Sequence, residues 1–405
     1  MSTVTPVDWQ TRPDPRSAEE WIARAAEVAT VLAGDAAARD HAGATPHAEV
    51  QLLKDSGLVT LLGPIAHGGA GQDWTTAYRV VREVSKADGS IGQLLGYHYL
   101  WNWAGRLVGT REQWEHLEAE AARNRWFFGG AVNPRDADVL VTEDGDDLVF
   151  TGRKTFSTGS KVSDVTVLEG VFEGTDQHVF AIVPSDSAGL TFHDDWDNIG
   201  QRLTESGGVT LDGVRTPWSS AAGYVGKKFQ PRVYNTLNVP TIQLVFVNFY
   251  LGIAAGALRT AATYTREKAR PWLHGGHERA VDEPYVIDVY GDLTAKLWAV
   301  EALADAVAAE GQRLHEDPDA VTEQTRGEFE VRVAAVKARA TDVALEVSQR
   351  VFEVTGARST ARAEGLDRFW RNVRTHTLHD PVSYKRREVG RWVLGGELPE
   401  PTWYS

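Results

Sequence analysis

The chain contains no cysteine. Disulfides, thiolate nucleophiles and cysteine-bound metals are therefore excluded. It is also short of positive charge: 42 Lys and Arg face 56 Asp and Glu, a net charge of −14. Phosphate binding needs a basic surface, so nucleic acid is excluded as a main partner. There is no G-x-S-x-G elbow, which removes a common serine hydrolase arrangement. The glycine loop at 68–71 has neither the spacing of a dinucleotide fingerprint nor the lysine of a P-loop, and reads as a turn. Residues 1–16 are polar and proline-bearing; they are expected to be flexible and to carry no signal peptide. The longest apolar stretch, 241–258, is interrupted by Gln243 and Asn248 and lacks basic flanks. A buried bundle helix is expected there, with no membrane partner and a cytoplasmic location.

What is present fits a soluble globular protein. The 405 residues are 42% hydrophobic and 24% charged, ample to bury a core. Fourteen tryptophans favour an aromatic-lined pocket. Three blocks follow one another. Residues 17–125 are mainly helical, opening on a Ser17-to-Glu20 capping box. Residues 126–228 hold short β-branched and aromatic runs at 127–133, 139–142, 148–156, 164–171, 178–183 and 208–211. Asp144-Gly145 and Asp212-Gly213 read as turns between them. Residues 229–405 return to long helices, expected at 241–270, 283–315, 322–355 and 366–380. The predicted class is α+β: a helical domain, a β-sandwich or barrel, and a four-helix bundle.

One segment, LDRFWRNVRTHTLHDPVSYK at 366–385, concentrates the chemistry. At helical spacing Leu366, Phe369, Trp370 and Val373 form an apolar face, and His376 and His379 project together. Pro381 restricts Asp380 and is expected to stop the helix near it. Histidine changes charge near neutral pH, so the pair could serve proton transfer; a bland account is that histidines favour a helix C-terminus. His376, His379 and Asp380 have ligand-capable types, but one helical turn does not aim all three at one point, and no metal is expected.

Local sequence also carries a resemblance. KTFSTG at 154–159, WDNIGQR at 196–202 and FWRNVR at 369–374 resemble segments of the acyl-CoA dehydrogenase superfamily. Where many dehydrogenases place a catalytic glutamate, this chain has Leu378-His379-Asp380-Pro381. GYH at 96–98, DDWDNIGQR at 194–202, YTREKARPW at 264–272 and FWRNVRTHTLHDPVSYK at 369–385 resemble a narrower group. These are the dibenzothiophene monooxygenases and related indole-oxidising enzymes. Their counterparts of Gln93, Gly130 and Thr158 are histidine, asparagine and serine.

The resemblance implies a two-component monooxygenase. Reduced flavin, FMN or FAD, comes from a separate reductase and reacts with O2 to a flavin hydroperoxide, which oxygenates an aromatic heterocycle. Indole- or carbazole-like ring hydroxylation and S-oxygenation of a thiophene are both open, with Gln93 tilting toward nitrogen. The alternative is a dehydrogenase using an electron-transfer partner. The implied catalytic residues are His379, His376 and Tyr97. Phe156, Thr158, Trp196, Ser206, Arg270 and Arg371 are the implied flavin contacts, the arginines for its phosphate. Gln93, Tyr97, His98 and Gly130 are the implied substrate contacts. A homo-oligomer, expected as a tetramer, follows from the 241–258 helix and from the family's sharing of flavin sites between subunits.

Overall fold

The computed structural model describes Trp9, residues 12–133 and residues 138–402. Most of the segment expected to be flexible, 1–16, lies outside these residues. Six helices come first: α1 Ala18–Ala33, α2 Ala36–Ala42, α3 His47–Asp55, α4 Trp74–Ser85, α5 Gly89–Val108 and α6 Arg111–Asn124. Side-chain caps set the starts of α1, α4, α5 and α6. Ser17 Oγ accepts from Glu20 N–H, while the Glu20 carboxylate accepts from Arg16 N–H and leaves the box half closed. Asp88 caps α5 through Ser90 and Ile91. Nearly every residue of α5 is buried, because α4, a later helix and the first strand cover it from different sides.

The middle region is one mixed sheet: β1 Phe128–Ala131, β2 Leu140–Asp144, β3 Asp147–Lys154, β4 Val165–Phe172, β5 His178–Pro184, β6 Leu190–Phe192 and β7 Val209–Pro217. Its order is β1-β4-β2-β3-β7-β6, with β5 antiparallel to β4. A small hairpin, β8 Tyr224–Val225 and β9 Lys228–Phe229, follows. Asp144-Gly145 does turn the β2–β3 hairpin. Asp212-Gly213 does not turn: it lies within β7, where the register against β3 slips between Phe150 and Gly152. Gly213 has φ 64° there. A bulge and a tight turn demand the same positive φ, so one dipeptide signals both.

Five helices complete the chain: α7 Asn238–Glu267, α8 Pro284–Glu316, α9 Glu323–Thr355, α10 Asp367–His376 and α11 Val382–Gly395. Helix α7 is long and apolar enough to cross a membrane, yet 83% of its most apolar window is buried inside the fold. Helix α10 ends a turn earlier than the sequence suggests. Thr377 N–H still bonds Val373 O, but His379 N–H bonds His376 O in a tighter turn, and Pro381 begins α11. His379 and Asp380 thus occupy a sharp corner between two helices. One apolar core joins the N-terminal helices to α7–α9, and a second lies within the sheet.

Candidate active site

Helices α5 and α7, the strand β1 with its neighbours, the 196–206 loop and the α10–α11 corner enclose a cavity of about 1350 Å³. That exceeds the ~300–1,000 Å³ usual for a small-molecule pocket and leaves room for more than one ligand. Residues four apart on α5 present one stripe to it: Gln93, Tyr97 and Trp101. Gly130, Phe156, Thr158, Trp196, Ser206, His376 and His379 also line it.

His376 is fully enclosed. Tyr97 Oη is 3.0 Å from its Nε2 and Tyr250 Oη is 2.7 Å from its Nδ1. A neutral imidazole has one donor and one acceptor nitrogen, so the two phenols hold it in complementary roles. Burial drives its pKa well below the usual histidine value, with His379 and Lys337 lowering it further. Burial first, then the Asp380 charge, pushes the Tyr97 phenol upward. Phe246 and Phe249 pack edge-on against the His376 ring, at 4.6 and 4.7 Å between centroids.

His379 stacks on His376, with centroids 5.4 Å apart and planes 5° from parallel. Its Nδ1 is 3.3 Å from Asp380 Oδ1. An ionised carboxylate only accepts, so Nδ1 carries the proton and Nε2 is the acceptor nitrogen. The same Asp380 oxygen accepts from the Lys337 ammonium on α9, which also lies 4.9 Å from the centre of the Phe246 ring. Burial alone would raise the Asp380 carboxyl; Lys337 and His379 outweigh it and hold the group far below the usual carboxylate range.

The opposite wall is a hydroxyl cluster on a constrained backbone. Thr158 Oγ1 and Thr204 Oγ1 each lie 2.8 Å from Ser206 Oγ. Phe156 packs edge-on against Trp196 at 6.1 Å. Phe156, Gln201 and Glu205 have φ of 56°, 53° and 45°, unusual for residues with a side chain. Such strain persists only where surrounding structure over-determines it, and it gathers at functional sites. Both side-chain polar atoms of Gln201, the Oε1 of Gln93 and the Nε1 of Trp101 are buried without a partner among the described residues. A buried polar atom left unpaired costs about 1–3 kcal/mol, and these four have almost no accessible surface, so they lie behind the cavity wall and not on it. A flavin ring, with carbonyl and N–H groups along one edge, fits the hydroxyl-bearing side chains of Thr158 and Ser206 that line the cavity.

Three residues implied by the resemblance lie elsewhere. His98 is spent on structure: its Nε2 donates to Val59 O at 2.7 Å and its Nδ1 accepts from Phe128 N–H at 3.0 Å. Those bonds tie the N-terminal loops to β1 from a fully buried position, and burial lowers its pKa to about 4. It does not line the cavity. Arg371 pairs with Asp40 and Asp367 and donates to Ile199 O at 2.7 Å. It braces the 196–202 loop from behind and does not face a phosphate within this chain. Arg270 is exposed beyond the end of α7, also outside the cavity. Among the described lining residues there is no lysine or arginine.

Sequence reasoning assigned nothing to Tyr250, Lys337, Gln201 or Trp101. Lys337 carried a legible signal. It falls in the apolar stripe of α9 with Val333, Val336 and Ala340, where a lysine must find a buried partner. Tyr250 stands inside an apolar run and gave no such sign.

The family model "Acyl-CoA dehydrogenase, N-terminal domain" matches residues 19–124 and "Acyl-CoA dehydrogenase, C-terminal domain" matches 244–384. The chain is 41% identical to dibenzothiophene monooxygenase of Rhodococcus erythropolis, covering all of both chains. It resembles the structure of the methanesulfinate monooxygenase MsuC from Pseudomonas fluorescens with a TM-score of 0.92 at 37% identity, covering 95% of this chain and 99% of that one. The complex of TdsC from Paenibacillus sp. A11-2 with FMN and indole gives 0.91 at 38% identity, covering 96% and 100%. The chain belongs to the acyl-CoA dehydrogenase family, within its flavin-dependent monooxygenases.

Proposed function

We propose that the chain is the oxygenase of a two-component system, taking reduced flavin from a separate reductase, and O2, to oxygenate an aromatic heterocycle. The observation that carries this reading is the cavity lining: stacked His376 and His379 with Phe246, and the hydroxyl pair Thr158–Ser206, in a volume fit for two ligands. Bound reduced flavin supplies the activation of O2. The protein supplies the rest. Phe246, Phe249 and Trp101 exclude water from the histidine side. Thr158 and Ser206 offer hydrogen bonds to the flavin ring edge, and Phe156 with Trp196 walls it. His376 stays neutral and orients Tyr97; His379 accepts or returns a proton at Nε2 as oxygen is transferred. Gln93 lines the cavity, and a side-chain amide there is able to bond a ring N–H, which favours an indole- or carbazole-like substrate over a thiophene.

Dehydrogenation needs a buried carboxylate base in the cavity. The only carboxylate among the described lining residues is Asp197, whose side chain is 94% exposed. The test mixes the protein with chemically reduced FMN, indole and air. Oxygenated indole is expected only when protein, reduced flavin and O2 are all present. A dehydrogenase would instead bleach a bound oxidised flavin on addition of an acyl thioester without air, and that result would replace this reading.

The proposal includes a homo-tetramer, but its motive changes. Helix α7 is covered by its own chain. Uncovered apolar side chains on the bundle include Tyr285 and Trp298 on α8 and Val393 and Leu394 on α11. A cavity without cationic lining also lacks a phosphate partner, and we assign that role to exposed Arg270 of another copy. Light scattering is expected to give four times the 44.5 kDa chain mass. A 44.5 kDa particle at micromolar concentration would remove the tetramer and Arg270's role together.

A further inference from the structure

Around His376, three hydrogens share two contacts. Tyr97 and Tyr250 each carry one, since burial pushes both phenols upward and keeps them protonated. The neutral imidazole carries the third. The contacts, Tyr97 Oη to Nε2 and Tyr250 Oη to Nδ1, use two of the three. One phenol hydrogen is left over, and the surroundings decide whose it is. Tyr250 lies on α7, is 0% exposed and does not line the cavity. His376 is its sole hydrogen-bond partner among the described residues. If Tyr250 accepted from Nδ1–H, its own hydrogen would be sealed away from any acceptor, an arrangement that buried donors avoid. Tyr97 is 9% exposed and lines the cavity, its ring stacked on Phe246 at 5.7 Å. The spare hydrogen is therefore that of Tyr97.

We infer that Tyr250 is a positioning residue: its O–H donates to His376 Nδ1, fixes the ring proton on Nε2, and so turns the Tyr97 hydroxyl hydrogen toward the ligand. The bonds run in one direction, from Tyr250 through His376 to Tyr97 and into the cavity. Resting on the proposed oxygenation, this polarity makes Tyr97 a donor that is set before the reaction and needs no reorganisation during it. The N–H of an indole-like ring is itself a donor, so the acceptor that Tyr97 meets is a flavin carbonyl or the oxygen being transferred, and not the ring nitrogen.

The test reads the tautomer directly, by solid-state NMR of the full chain with its histidines labelled in the heavy nitrogen isotope. The His376 signals are assigned by subtracting the spectrum of His376→Asn. In the wild type, His376 is expected to be protonated at Nε2 and bare at Nδ1. A proton on Nδ1 overturns the inference, and no variant has to fold for that result. Tyr250→Phe keeps the ring and deletes the hydroxyl. His376 is then expected to become a mixture of tautomers. Product per reduced flavin consumed, with indole as substrate, is expected to fall about fivefold, the worth of one neutral hydrogen bond, with indole affinity unchanged. An unmixed Nε2 tautomer in Tyr250→Phe, or a lowered indole affinity with unchanged product per flavin, makes Tyr250 an ordinary core tyrosine and overturns its positioning role. The tautomer is read without turnover. A wild type with the proton on Nε2 that yields no oxygenated indole therefore leaves the polarity standing and tells against the proposed reaction alone.

Discussion

His379→Ala is expected to leave the protein folded and able to consume reduced flavin, while product formation falls by ~10²–10⁴ and hydrogen peroxide appears in its place. The geometry gives the reason. His379 lines the cavity at a corner fixed by Pro381, and Asp380 assigns the proton to its Nδ1. Nε2 is therefore the nitrogen able to take a proton from, or return it to, a ligand there. His376 cannot substitute, because both its nitrogens are held by tyrosines and burial keeps it uncharged. The competing account is packing: His379 stacks on His376 and meets Phe246 edge-on at 5.0 Å. Such contacts are worth ~0.5–1.5 kcal/mol. His379→Phe separates the two, since it keeps the ring and removes the nitrogens. Product and peroxide are measured per reduced flavin consumed in wild type and both variants. Coupling restored by phenylalanine, or unchanged in alanine, would make His379 a structural residue.

The order of helices and strands was legible because caps and breakers punctuate it. Thr322 caps α9 and Gly356, at φ 75°, ends it, as their types suggest. Helix α11 went unread for a physical reason. Lys385 is its only buried residue, so the segment has no apolar stripe to show, and it is held by packing on α9. The β7 bulge was unreadable because its dipeptide also makes turns. At the site, the histidines and the Thr158 and Trp196 segments were legible as motifs. The partners of Arg371 were not. A guanidinium fits carboxylate and phosphate alike, and only the fold shows that Asp40 and Asp367 claim Arg371. Lys337 was overlooked since lysine is almost always exposed.

Lys337→Met is expected to cost about 3–5 kcal/mol of folding stability, the range for removing one partner of a buried ion pair. The ammonium is 2% exposed and the Asp380 carboxylate 6%. With Lys337 gone, Asp380 keeps a charge that nothing else on α9 offsets, and its Oδ2 already lacks a partner among the described residues. The sign follows from the depressed Asp380 pKa. On the acid side, stability from the Asp380 charge is present above the ordinary carboxylate range and is lost as pH falls well below it; burial lowers the Lys337 pKa, so the ammonium is the partner lost on the alkaline side. The double variant Lys337→Met with Asp380→Asn removes both charges. It is expected to recover most of the loss, since neutral replacements of a buried pair are often tolerated. Its coupling of flavin consumption to product is not expected to recover, because an amide no longer dictates the His379 tautomer and Phe246 no longer lies against a cation. Urea midpoints at unchanged slope read the first effect, and product per flavin consumed reads the second. If the double variant is as coupled as wild type, the pair serves folding alone and His379 is positioned by stacking.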